Sequence, residues 1–264
     1  MSDDARTPLL AMRGITKRFG AVEALVDVDF HVHEHEVVAL VGDNGAGKST
    51  LAKMVSGVLE PDAGVVEVAG EPVTITTPQA AYNAGVATVF QDLALCENLD
   101  VTANLFLGRE LTTHGVRDDG RMEEVARGIL HSLSSRIPSV RSPLSQLSKG
   151  QRQSVAIART LIGAPRIVVL DEPTAALSVV QTAEVLTHIE RLRDLGLGVI
   201  LISHNMTDVR AVADRIEVLR HGRNNGSFDA PTTSYEAVLA AITGAPPVAA
   251  RAARDPRDAR SGAR

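Results

Sequence analysis

The sequence predicts an α/β protein whose parallel sheet core is covered by helices, with an antiparallel β-subdomain at its N-terminal end and an inserted helical subdomain. Three observations carry this. An apolar run at residues 36–41 enters a glycine-rich loop that opens a helix. A second apolar run, 167–170, ends in Asp171 and Glu172. From residue 151 onward, helix-period and strand-length segments alternate, as in a parallel sheet with helical crossovers.

Taken in order, strands are expected at 10–15, 25–32 and 36–41, with residues 17–20 as a turn. A helix over 50–59 stops at Pro61, and residues 64–68 and 73–75 make a hairpin around 70–72. The strand at 86–90 ends at Gln91. Residues 101–133 read as helical, interrupted by the polar stretch 112–120, within a helical insertion of about 92–160. Ser148 caps an amphipathic helix over 152–162, and the strand 167–170, the helix 180–195 and the strand 198–202 follow. No internal repeat is visible, so one unit of about 8–244 is expected, followed by a basic tail, 245–264.

With 264 residues and 44% hydrophobic content, the chain can bury an ordinary core. The apolar runs are strand-sized, far below the ~20 residues that span a bilayer. The first ten residues carry Asp3 and Asp4 and no apolar stretch of signal-peptide type, so a cytosolic chain is expected. The single cysteine, Cys96, permits no internal disulfide and reads as a small apolar loop residue. A net charge of −5 with both signs interspersed leaves no electrostatic footprint for nucleic acid over the body of the chain. In the tail, Arg251, Arg254, Arg257, Arg260 and Arg264 outnumber Asp255 and Asp258; it reads as solvated disorder, with contact to anionic lipid as the alternative.

The loop Gly42-Asp43-Asn44-Gly45-Ala46-Gly47-Lys48-Ser49-Thr50 has the spacing of a phosphate loop and the required setting between strand and helix. Glycines let backbone N–H groups wrap phosphates, the helix N-terminus favours negative charge, and Lys48 reaches the terminal phosphates. The Ser49 hydroxyl suits Mg²⁺. At the end of a buried parallel strand, Asp171 is placed to hold the magnesium and Glu172 to polarise an attacking water; a helix N-terminal charge is the bland reading of either. Gln91 offers a neutral amide to Mg²⁺ or water, or is only a strand end. His204, after the strand 198–202, could touch a terminal phosphate or be structural. In Leu147-Ser148-Lys149-Gly150-Gln151, a capped helix start with bare backbone at Gly150 forms a second anion-binding N-terminus in a chain with one phosphate loop. That terminus needs a phosphate from elsewhere.

With these residues in this order, the sequence resembles the ATP-binding-cassette family over about residues 10–243, and with it the P-loop NTPase fold. The resemblance implies ATP and Mg²⁺ as cofactors and a head-to-tail dimer with a second copy. In it, Ser148, Lys149, Gly150 and Gln151 of one subunit close over the ATP held by Lys48 of the other. It also implies that Phe19, otherwise a core residue, stacks on adenine, and that Gln91 couples the site to transmembrane permease subunits docked on the helical insertion. Two positions depart from the commonest pattern: Lys149 stands where Gly is usual, and Ser178 where Asp is usual at the dimer seam. Binding is expected to survive both, and the hydrolysis rate is what they bear on.

Within the family, Arg13-Gly14-Ile15-Thr16-Lys17-Arg18-Phe19-Gly20-Ala21-Val22-Glu23-Ala24-Leu25 and the loop from Gly42 to Gly47 look like importers of monosaccharides, in a single-cassette form. That implies a chain on the cytoplasmic face of the membrane, served indirectly by a solute-binding protein. The rival readings are a soluble cassette ATPase and a nucleotide-dependent regulatory module. The first lacks a long coiled coil or a basic face here, and Glu172 and His204 argue against the second. No Asn-Lys-x-Asp segment follows the phosphate loop, which excludes a guanine-reading switch. Finally, strand alternation would put His31, His33 and His35 on one face, either as a metal site or as a solvated strand face.

Overall fold

The computed structural model describes residues 7–245. Strands β1 (Leu10–Phe19), β2 (Val22–Val32) and β3 (Val37–Val41) lead into α1 (Lys48–Val55). Next come β4 (Ala63–Val68), β5 (Glu71–Pro72), α2 (Pro78–Asn83) and β6 (Val86–Val89). The inserted segment holds α3 (Val101–Phe106), β7 (Thr112–Thr113), β8 (Val116–Arg117), α4 (Asp119–Ser132) and α5 (Lys149–Thr160). The chain returns through β9 (Ile167–Asp171), α6 (Val179–Asp194), β10 (Gly198–Ile202), α7 (Met206–Val212), β11 (Arg215–Arg220), β12 (Arg223–Asp229) and α8 (Tyr235–Thr243).

The main sheet runs β12-β11-β3-β10-β9-β6, parallel from β11 to β6 with β12 antiparallel at the edge. A separate antiparallel sheet has the order β2-β1-β4-β5. Residue alternation in β3 explains how the layers stack. Val37, Ala39 and Val41 pack into one cluster with α3, α4, α5 and α6, whereas Val38 and Leu40 pack into the other with β1, β2 and α1. A strand covered on both faces has to read as a continuous apolar run, and β3, β9 and β10 do.

Several boundaries differ from expectation for local reasons. Residues 17–19 are strand rather than turn, because Lys17, Arg18 and Phe19 pair with Leu25, Glu23 and Val22. The reversal needs only Gly20 and Ala21. Helix α1 ends at Val55, since Gly57 sits at φ +70, where an added Cβ would lie 2.1 Å from the Thr77 carbonyl oxygen. The partner of β4 is Glu71–Pro72, not 73–75. The interruption in the helical insertion is itself a hairpin, turned at His114 and Gly115 with φ of +53 and +78.

Elements α2, α7, β11, β12 and α8 are not among those expected from the sequence. In β11, Arg215 and Glu217 lie inward and break the apolar pattern; Arg215 Nε donates to Glu36 Oε1 at 2.8 Å and its guanidinium pairs with Glu217. Nor do the three histidines converge. β2 ends at Val32, His33 Nδ1 turns to Glu36 Oε2 at 3.2 Å, and His35 Nδ1 donates to the Arg193 carbonyl at 2.9 Å. Among the described residues, no group of three His, Cys, Asp or Glu side chains is placed to hold a metal ion, and no helix is long and apolar enough to cross a membrane. The expected tail beyond Ala245, and Asp3 and Asp4, lie outside the described residues.

Candidate functional site

The loop after β3 requires glycine at two points. Gly42 has φ +150, and a Cβ there would lie 2.2 Å from the Leu219 carbonyl oxygen. Gly47 has φ +106, and a Cβ there would meet Leu25 Cδ2 at 2.6 Å. Gly47 also opens α1 with no capping side chain, so the N–H groups of the first turn are left for an anion. Lys48 Nζ donates to the Gly42 and Asp43 carbonyls at 2.6 and 2.9 Å. Burial lowers its pKa, and the neighbouring Glu172, Asp43 and Asp171 act against that.

Parallel pairing of Ile202 with Asp171 brings the ends of β9 and β10 to one edge. Burial first, then the adjacent Glu172, raise the pKa of Asp171, with Lys48 and Lys53 opposing. Glu172 is held at φ +50, with its N–H donating to the Ile202 carbonyl at 2.9 Å. Its Oε2 lies 2.8 Å from His204 Nδ1. A non-glycine residue in the left-handed region costs about 1 kcal/mol or more, and such strain gathers where a side chain must be aimed.

The loop from Asn44 to Thr50, Gln91, Asp171 and Glu172 share one cleft of about 460 Å³ with Phe19, Val22, Glu23, Ala24 and Ile202, while Gly42, Asp43 and His204 do not line it. Phe19 is half exposed, with Lys17 Nζ 5.8 Å from its ring centroid. The sequence reading had missed Val22, Glu23 and Ala24; the two-residue turn that pairs Phe19 with Val22 puts them there. It had also missed the bond between His204 and Glu172. The set suits Mg²⁺: one or two carboxylates, the Ser49 hydroxyl and the Gln91 amide are hard oxygen donors, and a cation would relieve the repulsion that raises Asp171.

Ser148, Lys149, Gly150 and Gln151 do not line this cleft. They form the start of α5, where the Gln151 N–H donates to Ser148 Oγ at 3.3 Å and the Ser148 N–H donates to Gln151 Oε1 at 2.9 Å. Lys149 Nζ donates to the Ala176 carbonyl at 3.4 Å. Gly150 abuts α6 so closely that a Cβ would lie 2.7 Å from Gln181 Cγ. Ser178 caps α6 with the same reciprocal pair, using Gln181. The next two residues, Val179 and Val180, are 87% and 74% exposed.

The profile of the ABC transporter family matches residues 25–175, more than half of the chain. The chain belongs to the ABC transporter family. It is an ATP-binding, ATP-hydrolysing cassette. The xylose/arabinose import ATP-binding protein of Sulfolobus acidocaldarius is 45% identical over 215 residues, 81% of this chain and 86% of that protein. The fructose import ATP-binding protein of Rhizobium meliloti is 41% identical over 249 residues, 91% and 96% of the two chains. Among solved structures, a nucleotide-free ATP-binding cassette from an ABC transporter superposes with a TM-score of 0.78 at 25% identity, covering 91% of this chain and 97% of that one. The α/β core, antiparallel subdomain and helical insertion of the cassette are thus those of its family.

Proposed function

We propose that the cassette, a unit of residues 8–244 with its helical subdomain at about 92–160, binds Mg·ATP in this cleft and uses its hydrolysis to drive import of a monosaccharide. The observation that carries the reading is one cleft holding the phosphate loop, Gln91, Asp171 and Glu172, with Phe19 at its edge. Phe19 stacks on adenine, and Gly42, Asp43, Asn44, Gly45, Ala46, Gly47 and Thr50 wrap the phosphates through their backbone. Lys48 leaves its two carbonyl acceptors for the terminal phosphates. Ser49, Asp171 and Gln91 hold Mg²⁺, which when bound neutralises phosphate charge.

Glu172 orients the attacking water and takes its proton as the terminal phosphorus leaves the bridging oxygen, giving ADP and phosphate. His204 holds the Glu172 carboxylate and reaches the terminal phosphate. Ser148, Lys149, Gly150 and Gln151 of a second copy complete the site in a head-to-tail dimer. The exposed Val179 and Val180, beside the start of α5, favour such a partner.

The partners of the dimer are transmembrane permease subunits, with a solute-binding protein acting through them, at the cytoplasmic face of the membrane. Support for a docking face comes from a cavity of about 300 Å³ between the core and the insertion. It is lined by Tyr82, Phe90, Leu107 and Arg109 among others, with Phe90 and Leu107 exposed. The sugar reading is supported by the names of the two import proteins that the cassette resembles over most of their length.

The test is size-exclusion chromatography of Glu172→Gln with and without Mg·ATP, with Ser148→Arg added as the control. A nucleotide-dependent dimer that the control lacks is expected. A monomer under both conditions would count against the composite site.

A further inference from the structure

His188 lies on α6 with no solvent exposure, and nothing in the ATP chemistry uses it. Its Nδ1 is 2.8 Å from the carbonyl oxygen of Leu133, the residue that ends α4. Its Nε2 is 2.8 Å from the hydroxyl of Ser154, a fully buried residue of α5. A carbonyl only accepts, so Nδ1 carries the proton and Nε2 accepts from the Ser154 hydroxyl. Burial lowers the pKa of the ring and so disfavours its charged form, against the Leu133 hydrogen bond and the Glu184 charge.

One imidazole therefore ties α6, which packs against the main sheet, to two helices of the insertion. Ser154 stands one turn after Gly150, and its single hydroxyl hydrogen is shared between His188 Nε2 at 2.8 Å and the Gly150 carbonyl oxygen at 3.1 Å. At Gly150 the two helices pack so closely against Gln181 that any side chain there would press α5 away from α6. The close contact limits approach, and the two buried hydrogen bonds limit separation and rotation.

We infer that His188 is a positioning residue for the composite ATP site: through Ser154 and Leu133 it sets the pose of α5 on α6, and so the direction in which Ser148 and Gly150 face a second copy. This rests on the dimer proposed above. His188 touches no nucleotide, so its effect falls on the contribution made across the seam and not on ATP binding by one subunit.

The experiment compares His188→Leu, His188→Asn and Ser154→Ala in the full chain, each also in the Glu172→Gln background. Dimer formation with Mg·ATP is read by sedimentation, ATP affinity of the dilute monomer by fluorescent-nucleotide titration, and kcat in the chain with Glu172 intact. His188→Leu is expected to weaken the ATP dimer and lower kcat about tenfold, the scale of losing two buried hydrogen bonds, with monomer affinity unchanged. His188→Asn, whose amide nitrogen replaces Nδ1, recovers part of this. Ser154→Ala, the smaller change, leaves the imidazole in place and is expected to keep the fold, shown by its thermal melt, while losing part of it.

Unchanged dimerisation and kcat in Ser154→Ala and in folded His188→Leu would overturn the inference. So would an equal loss of monomer ATP affinity, which marks a general structural role. If the Glu172→Gln parent itself stays monomeric with ATP, the dimer reading fails, and this inference with it.

Discussion

Lys48 has two carbonyl partners within its own loop, which hold its ammonium in the cleft proposed for the phosphates. Lys48→Ala should weaken ATP binding about a hundredfold by calorimetry, the scale of lost charge-assisted hydrogen bonds. Thermal unfolding with no nucleotide present will separate this from loss of the loop. His204 Nδ1 lies 2.8 Å from Glu172 Oε2, and in the proposed mechanism it holds that carboxylate. His204→Ala should therefore lower kcat by about tenfold or more and leave ATP affinity within about twofold, measured by steady-state hydrolysis and nucleotide titration. These residues were legible because phosphate chemistry demands their types at set spacing. The bond joining them was not, since residues 172 and 204 meet only when β9 and β10 lie side by side.

At the scale of elements, Ser148 announced the start of α5, because capping is local chemistry that a sequence can display. The end of α1 was hidden, because it is decided by Thr77, which Gly57 meets only in the fold. The junction of β2, β3 and β11 depends on Glu36, which accepts from the His33 N–H and from Arg215. Burial alone would raise its pKa, but the Arg215 and His33 contacts outweigh burial and lower it. A carboxylate that titrates lower when folded stabilises the protein above its unfolded pKa, and this stabilisation is lost as pH falls through its folded value. Glu36→Gln should thus cost about 2 kcal/mol near neutral pH. The gap from the unsubstituted chain should narrow as pH falls below the ordinary carboxylate range, as read from denaturant melts at several pH values.

On the scale of the whole molecule, the proposed dimer takes the cleft as one half of its site and the start of α5, which does not line that cleft, as the other half. The proposed coupling to a permease needs a surface outside both, and Leu107, at the end of α3, is exposed on the cavity between core and insertion. Leu107→Asp should reduce co-sedimentation of the cassette with membranes containing its permease by about tenfold or more. ATP hydrolysis by the isolated chain should stay at its usual rate. Equal recovery with membranes would move the docking face elsewhere.

The sequence by itself determined the class of fold, the phosphate loop, the paired carboxylates, the capped start of α5 and the family. Each depends on residue type and short-range spacing, which backbone geometry and phosphate chemistry constrain directly. Only the tertiary structure decided that His33 and His35 turn to Glu36 and Arg193 and not to one another, and that Val22 to Ala24 join Phe19 at the cleft. It alone showed that Arg215 pairs with both Glu36 and Glu217, and that His188 bridges three helices. Those arrangements are contacts between residues far apart in the chain, and no local pattern encodes which distant groups burial will bring within hydrogen-bonding reach.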